Sequence, residues 1–562
     1  MKSYPRMKYG LFVHYVYEIS PFSDGRLPKT LDEFADGFDV TAFADSVAAM
    51  AVEYVVLTAW HYRMRPLYPS AVIERWRPGN SCRRDLLGEI IDALRQRGIA
   101  VILYTHPRDG HDLEEPDRTR TGWGAGFEPG REDTPHPQRF DRQTWNRYVG
   151  ELYTELAQRY GKKLVGFYTD GVGPTRGYNA KMEENLQIVD YLMLRDIMKK
   201  ENPDMVMIQN YFGYLFSDDY AMPEGFFGYE DIMDYRHTEA WPVCEKALAI
   251  GPFDGGWWPQ PVPRGGDVRK MSVADMVQYT MFNASCTAGG GICWASGPYC
   301  EGGLWPVGVV DSLAAVGQEL KRFRVSLLDA VPSRCYPTVS GDTLEAKEYR
   351  FFTGSGDGSY EYLHLLRMPA DGKLRLPPAE DGSVLSEAVS LTPGVVAAIE
   401  SSENGYCLSV EGKADPVATV IRFRREAPAQ RLQWEWINDT DKRIRYEGEW
   451  KYCHLHDTGD DTGLLAHGCF EADYHRAERK GDSLFLAFHG SVAEILCNTR
   501  RGNGAALVFI DGVAVGRIDT DDATAVRKKL LRTVDLHGGW HTLYLVLEED
   551  RLFELDAIHI RQ

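Results

Sequence analysis

The chain contains eight short apolar runs, most of them separated by stretches in which apolar residues recur at helical spacing. Alternating strand and helix units favour a parallel sheet. Eight such units in succession predict a closed (β/α)8, TIM-like barrel. The predicted strands are residues 9–15, 53–61, 99–106, 164–171, 205–211, 225–231, 247–252 and 290–296.

The segments between the first of these runs include three clear helical patterns. Residues 39–51, 83–98 and 145–161 read as helices, of which the second is amphipathic and ends at Gly98. Residues 106–141 are rich in glycine, proline and charge, and they read as one long loop. Loops of that length inside a compact domain are usually functional.

Polar residues recur where the apolar runs end. They are His14, His61, His106, Asp170, Asn210 and Glu230. The carboxyl ends of barrel strands meet at one mouth, where barrel enzymes carry out their chemistry. One such histidine is more often a satisfied structural residue, but six polar groups at one rim are costly to bury without partners. The pattern therefore predicts an active site at this mouth.

Asp170 closes the run LVGFYTD and precedes Gly171. By itself it is equally well explained as the cap of a following helix or the start of a turn. Two carboxylates that face each other across a pocket can hydrolyse a glycosidic bond, and Asp170 with a glutamate near the sixth strand fits that requirement. No HExxH, GxGxxG or Walker pattern suggests a metal or nucleotide site.

Charge and composition exclude several classes of protein. The net charge of −19 disfavours nucleic acid and anionic membranes as partners. No run of about 18 apolar residues predicts a membrane span. The 10 cysteines form no CxxC pair, and the first strand begins near Lys8, which leaves no room for a signal peptide. The sequence thus predicts a cytoplasmic enzyme with reduced thiols.

Five segments, in order, resemble the α-L-fucosidases of glycoside hydrolase family 29. They are YGLFVHY, FDVTAFADSVAAMAVEYVVLTAWH, RRDLLGEIIDALRQRGIAVILYTH, YVGELYTELAQRYGKKLVGFYTDG and GGGICWASGP. The resemblance covers roughly residues 1–424. It implies a retaining exo-glycosidase without metal or organic cofactor, with Asp170 as the nucleophile. It also implies that His14 and His61 bind sugar hydroxyls and that Tyr104 lines the pocket.

The chain departs from the family pattern beside the pocket. The family's His-His-Asp-Gly-Phe reads His61-Tyr62-Arg63-Met64-Arg65 here, so one sugar-contacting histidine is missing. The asparagine of the family's eighth strand has become part of Ile-Cys-Trp-Ala-Ser. Arg63 and Arg65 either pair with nearby acids or meet a carboxylate or sulfate on the substrate. Fucose is therefore less firmly implied than retaining glycoside hydrolysis.

Glu230 is the predicted acid/base, because it lies at a strand end about where relatives carry theirs. Glu224, Asp231 and Glu239 compete for the role. His106 and Asn210 join the predicted substrate-binding residues. Four tryptophans in Gly- and Pro-rich segments near strands seven and eight are candidate sugar platforms or rim packing: Trp257, Trp258, Trp294 and Trp305, of which we select Trp258 and Trp294.

From about Ser333 the pattern changes to short alternating runs with Gly, Asp and Pro turns, as in β-sandwiches. We predict a barrel at 1–332, a β-sandwich at 333–428 and a jelly-roll, carbohydrate-binding-module-like domain at 429–562. The expected substrate is an oligosaccharide or glycoside, and the sequence leaves open whether the chain is a monomer or a homo-oligomer. The alternatives are a glycosidase for another sugar, such as a pentose, ketose or acidic sugar, and a barrel that binds carbohydrate without catalysis.

Overall fold

The described residues of the computed structural model of the protein divide into two compact units, the first ending at Val331 and the second beginning at Pro332. None of the helices among the described residues is both long and apolar enough to cross a bilayer. The structure describes residues 4–128, 131–136, 138–170, 189–210, 220–222, 248–250, 252–253, 257, 259, 271–286, 291–338, 344, 347–402, 404–426, 434–454, 473–522, 529–532, 536 and 539–561.

An eight-stranded parallel sheet forms the centre of the first unit. Its strands are β1 (Tyr9–Val13), β2 (Tyr54–Thr58), β3 (Ala100–Thr105), β6 (Gly166–Thr169), β7 (Val206–Gln209), β8 (Tyr220–Ala221), β9 (Leu248–Ile250) and β10 (Ile292–Ser296). A small antiparallel hairpin, β4 (Phe127–Glu128) and β5 (Arg131–Pro135), lies outside this sheet.

The order of the strands in the sheet is β8-β7-β6-β3-β2-β1-β10-β9. The strand of this sheet that comes first in the sequence, β1, thus pairs with the one that comes last, β10, as in a TIM-like barrel. Seven of the eight predicted strands are confirmed. The remaining predicted strand, residues 225–231, lies outside the described residues. The strand that pairs with β7 is the two-residue β8, for which the sequence predicted no strand.

The helices of this unit confirm the three helical predictions. They are α1 (Leu31–Asp36), α2 (Val40–Ala49), α3 (Ala71–Trp76), α4 (Leu86–Gln96), α5 (Glu115–Thr121), α6 (Arg142–Tyr160), α7 (Tyr191–Glu201), α8 (Val273–Ala284) and α9 (Val309–Arg322). Aspartates cap several N-termini, and Asp141 for example accepts a hydrogen bond from Thr144 N. The prediction of a single long loop at 106–141 was wrong, because this segment contains α5 and the β4–β5 hairpin.

Side chains alternate between the inside of the sheet and the helices outside it. On β1, Phe12 faces the interior, while the Tyr9 hydroxyl donates to Leu313 O of α9 at 2.7 Å. Gly10 is required because a Cβ there would lie 2.3 Å from the ring of Tyr54. The buried interior includes Phe12, Tyr54, Val56, Ile102, Tyr104, Tyr168, Ile208, Cys293 and Ala295.

The second unit consists of antiparallel sheets in two successive pairs, each pair around an apolar core. The first pair contains β11 (Val331–Pro332), β12 (Arg350–Gly354), β13 (Tyr360–Leu365), β14 (Lys373–Leu376), β15 (Val384–Ser390), β16 (Val395–Ser402), β17 (Gly405–Gly412) and β18 (Thr419–Glu426). This pairing of sheets around a shared core is a β-sandwich.

The later pair of sheets begins at β19. Its strands are β19 (Trp434–Asn438), β20 (Ile444–Glu447), β21 (Lys451–His454), β22 (Asp473–Ala477), β23 (Ser483–Gly490), β24 (Val492–Asn498), β25 (Ala505–Ile510), β26 (Val513–Asp519), β27 (Lys529–Arg532), β28 (Gly539–Leu547) and β29 (Phe553–Arg561). Asp511 and Gly512, both at positive φ (51° and 79°), form the tight turn between β25 and β26.

Candidate active site

Four strands continue their inward-facing row of side chains past their last residue. Because side chains alternate, the residue two places after an interior side chain also points into the barrel. Phe12, Tyr104, Tyr168 and Ile208 are interior residues near the ends of their strands. The polar residues two places later, here called the strand-end cluster, are His14, His106, Asp170 and Asn210.

Asp170 is held by hydrogen bonds to both oxygens of its carboxylate. The Tyr104 hydroxyl donates to Oδ2, and Asn210 Nδ2 donates to Oδ1 at 2.7 Å. The Asp170 backbone N–H donates to Thr105 O at 2.9 Å, which continues the pairing between β3 and β6. The carboxylate is therefore fixed in direction on three adjacent strands, as a reacting group has to be.

The surroundings of Asp170 keep it ionised. Burial raises the pKa of its carboxyl, but His106, His61 and the hydrogen bonds from Tyr104 and Asn210 outweigh burial, so the pKa lies below its ordinary value. A half-buried, ionised and oriented carboxylate can attack an electrophilic carbon or stabilise a developing positive charge.

His14 is buried beside this carboxylate and is neutral. Burial, together with the neighbouring His61, lowers the pKa of His14 to about 3 in spite of the attraction of Asp170. Its ring centroid lies 4.6 Å from that of Phe12 and 5.3 Å from that of Trp257. Trp257, a described tryptophan that follows β9 in the sequence, thus lies beside the cluster.

His61 reaches the cluster through an unusual loop rather than through strand alternation. Arg63 and Met64 have positive φ, 55° and 43°, a conformation that costs free energy in residues with a Cβ. The buried Arg77 guanidinium holds the loop by donating to Arg63 O (2.7 Å) and Met64 O (3.0 Å). Arg63 N donates to Asp112 Oδ2 at 3.0 Å. The ring of His61 stacks at 5.5 Å on Tyr104 of the barrel interior.

The two arginines that replace family residues in this loop pair with acids. Arg65 Nη1 lies 2.8 Å from Glu18 Oε1, and its Nε donates to Asn80 Oδ1 at 3.0 Å. Arg63 lies 3.5 Å from both Glu18 and Glu114. Of the two alternatives that the sequence left open, the structure favours pairing with acids over recognition of an anionic substrate.

Sequence reasoning missed Asp109, which is fully buried behind His61 and His106. Its Oδ1 lies 3.1 Å from His106 Nδ1, and its Oδ2 lies 3.4 Å from His61 Nδ1. The available signal was the acidic and glycine-rich segment that directly follows His106. The pKa of His106 is lowered by burial, against the opposing effect of Asp109 and Asp170.

The prediction of Trp294 as a sugar platform was wrong. Trp294 is fully buried within β10, and its Nε1 donates to Thr280 Oγ1 of α8 at 3.2 Å. Its neighbours Cys293 and Ala295 face the barrel interior, so Trp294 faces the helices. Trp305 likewise packs, stacking on Phe43 at 5.8 Å.

Several predicted site residues lie outside the described residues. They are Trp258, the predicted acid/base Glu230 and its competitors Glu224, Asp231 and Glu239. The structure brings together the other predicted residues, His14, His61, Tyr104, His106, Asp170 and Asn210. One carboxylate of the predicted pair is therefore in place beside several hydrogen-bonding rings.

Comparisons with known proteins point to a family of glycoside hydrolases. Residues 27–246 match the sequence model of the alpha-L-fucosidase family, a narrower range than the residues 1–424 over which the motifs resemble that family. No curated protein matched the chain in a sequence comparison.

Solved structures of fucosidases have a fold similar to that of this chain. The α-L-fucosidase from Vibrio sp. strain EJY3 is 15% identical with a TM-score of 0.53, over 99% of this chain and 96% of that one. A family 29 α-L-fucosidase from Bacteroides thetaiotaomicron, trapped as a covalent intermediate, is 15% identical with a TM-score of 0.51, over 75% and 95%. Isoenzyme 1 from Paenibacillus thiaminolyticus is 18% identical with a TM-score of 0.51, over 75% and 97%. At these identities the shared property is the fold, a TIM-like domain with a β-sandwich.

Proposed function

We propose, on the premise that the chain is an α-L-fucosidase-like glycoside hydrolase, that it is a retaining exo-glycosidase. In the proposed reaction Asp170 attacks the anomeric carbon of a terminal α-L-fucosyl group and expels the aglycone. Water then hydrolyses the glycosyl-enzyme, so that two inversions restore the original configuration. The reaction needs no metal or organic cofactor.

The observation that carries this proposal is the arrangement of donors on Asp170. Tyr104 and Asn210 each donate to one carboxylate oxygen, and the pKa of Asp170 is low, so the group is ionised and oriented. A nucleophile needs both properties at once. His14, His61 and His106 surround it as hydrogen-bonding groups for the sugar hydroxyls, and we propose that role for them.

We propose Glu230 as the acid/base, on the resemblance to the family alone. A general acid has to be protonated near neutral pH, and a nearby Asp170 carboxylate would raise its pKa by repulsion. Replacing Glu230 by alanine is expected to slow the cleavage of alkyl glycosides far more than that of dinitrophenyl glycosides, whose leaving group needs no proton. Equal effects on both substrates would transfer the role to Glu224, Asp231 or Glu239, which the same comparison tests.

Hydrolysis of an aryl α-L-fucoside, followed by NMR from the first seconds, tests the reaction. The α anomer of the sugar is expected to appear first, because two displacements retain configuration. Initial release of the β anomer would instead mean an inverting enzyme, in which Asp170 is not a nucleophile.

A panel of aryl glycosides tests the substrate. Tyr62 stands where the family carries a second sugar-binding histidine, and a site that changes a hydrogen-bonding partner discriminates differently among sugars. The second candidate is therefore a glycosidase of the same mechanism for a different sugar. Faster turnover of another glycoside than of the fucoside would favour it, and no turnover of any glycoside would favour a carbohydrate-binding barrel.

For the domain boundaries we propose that the barrel ends near residue 332 and that the β-sandwich after it ends near residue 428. Residues 429–562 then form a jelly roll. The pair of sheets β19–β29, with its single apolar core, supports this interpretation. We also propose that the enzyme acts in the cytoplasm.

A further inference from the structure

Asp109 lies in the loop that follows β3, and its side chain is completely buried. Its Oδ1 is 3.1 Å from His106 Nδ1, and its Oδ2 is 3.4 Å from His61 Nδ1. Within the described part of the chain, neither oxygen accepts a hydrogen bond of ordinary geometry. An ionised carboxylate in such a place is costly unless it is compensated, and the imidazoles of His61 and His106 lie closer to it than that of His111, whose Nδ1 is 3.8 Å from Oδ1.

The loop around Asp109 leaves little room for the carboxylate to move. Gly110 packs against the fully buried Trp123, and a Cβ on this glycine would lie 2.1 Å from the indole ring. Arg118 Nη1 donates to His111 O at 3.2 Å, which ties the far side of the loop to α5. The loop that follows Asp109 is therefore held by packing and by a hydrogen bond, and the carboxylate lies beside the histidines that follow β2 and β3.

We infer that Asp109 is a positioning residue that holds His61 and His106 through their Nδ1 atoms, so that Nε2 of each ring is left to bind sugar hydroxyls beside Asp170. The inference rests on the proposed function, since it assigns the two histidines to the substrate. Neither a motif nor the strand pattern indicated Asp109.

The two edges of an imidazole have different roles in this arrangement. A carboxylate beside Nδ1 favours a proton on that nitrogen, and in a neutral ring Nε2 then carries the lone pair. Burial keeps the pKa of His106 low, so its ring is neutral at pH 7. Nε2 of His106 is consequently an acceptor for a hydroxyl proton, and the stacking of His61 on Tyr104 keeps the second ring next to the nucleophile.

Replacing Asp109 by asparagine tests this role with almost no change in volume. The amide presents one N–H₂ group toward a histidine, which then has to accept at Nδ1 and carry its proton on Nε2. We expect kcat/KM to fall by about 10–100-fold, the range of loss known for groups that orient metal-bound histidines. KM for the substrate should rise, and the affinity for a non-reacting iminocyclitol should fall in parallel.

The matched control is Asp112→Asn in the same loop. Asp112 accepts a hydrogen bond from Arg63 N, which an asparagine oxygen can also accept, and it forms no ion pair with His61 or His106 within 4 Å. Its kcat/KM should stay within about threefold of wild type. Equal losses in both variants would show that the loop tolerates no change of charge, and would overturn a specific role for Asp109.

A spectroscopic measurement separates positioning from simple support of the fold. With ¹⁵N-labelled histidine, long-range ¹H–¹⁵N spectra report the tautomer of each ring, and His61→Gln and His106→Gln variants assign the signals. We expect both rings to carry the proton on Nδ1 in the wild type, and at least one to change in Asp109→Asn. Unchanged tautomers, with or without a fall in activity, would overturn the inference.

Metal analysis of the wild type and Asp109→Asn tests a competing explanation, in which Asp109 binds a metal ion. Asp109, His111 and Asp112 have ligand atoms within 4.8 Å of one another, close enough to hold a metal ion. Stoichiometric zinc, manganese or calcium in the purified wild type, lost in Asp109→Asn, would replace positioning by metal binding. If the wild type cleaves no glycoside, the proposed function fails, yet the tautomers still test Asp109. If the wild type is active and Asp109→Asn is equally active, only the inference fails.

Discussion

Replacing Asp170 by glycine is expected to lower kcat by at least about 10⁴-fold without unfolding the protein. The side chain supplies the oxygen that bonds to the anomeric carbon, and no other described carboxylate shares its two donors, Tyr104 and Asn210. The substitution leaves a space beside that carbon, which sodium azide can enter. Azide should therefore restore part of the cleavage of an activated aryl glycoside and yield a glycosyl azide.

Asp170→Asn is the control for this rescue. The asparagine fills the space of the carboxylate, so it should be as inactive as the glycine variant but insensitive to azide. Thermal unfolding and iminocyclitol binding should show that both variants are folded. Near-normal turnover of Asp170→Gly would remove the nucleophile from this position.

The barrel could be predicted from the sequence because its signals are local. Most strands are short apolar runs, several helices begin at a capping aspartate such as Asp39, Asp85 or Asp141, and both patterns can be read without tertiary information. The position of polar residues at the ends of these runs also predicted that they meet at the mouth. His14, His106, Asp170 and Asn210 lie together because each is two places after an interior residue.

The sequence analysis failed for residues whose placement is decided by tertiary packing and not by the local pattern of the sequence. Trp294 faces the helices because the alternation of β10 is set by Cys293 and Ala295, and a tryptophan suits either face. Asp109 lies in a loop without periodicity, and its role depends on rings from two strands. Neither placement follows from composition or spacing, since both depend on long-range contacts.

Tyr104→Phe is expected to lower kcat/KM by about 10–150-fold. The hydroxyl of Tyr104 donates to Asp170 Oδ2 from a fully buried position in the barrel interior. A hydrogen bond to a charged group contributes about 1.5–3 kcal/mol, and its loss frees the carboxylate to turn away from the anomeric carbon. The matched control is Tyr168→Phe, because the Tyr168 ring stacks on Tyr104 but its hydroxyl donates to Met222 O at 3.0 Å.

The pH dependence of kcat/KM in the same two variants shows in which direction the Tyr104 hydroxyl shifts the pKa of Asp170. The hydrogen bond from Tyr104 is one of the contacts that hold the pKa of Asp170 below its ordinary value, so its removal raises that pKa. Asp170 has to be ionised to attack, and activity is lost as the pH falls through its pKa. The acidic limb of kcat/KM should therefore move to higher pH in Tyr104→Phe, while the basic limb, which reports the acid/base, should stay in place. An acidic limb that stays where it is, or one that moves equally in Tyr168→Phe, would mean that the Tyr104 hydroxyl does not set the ionisation of the nucleophile.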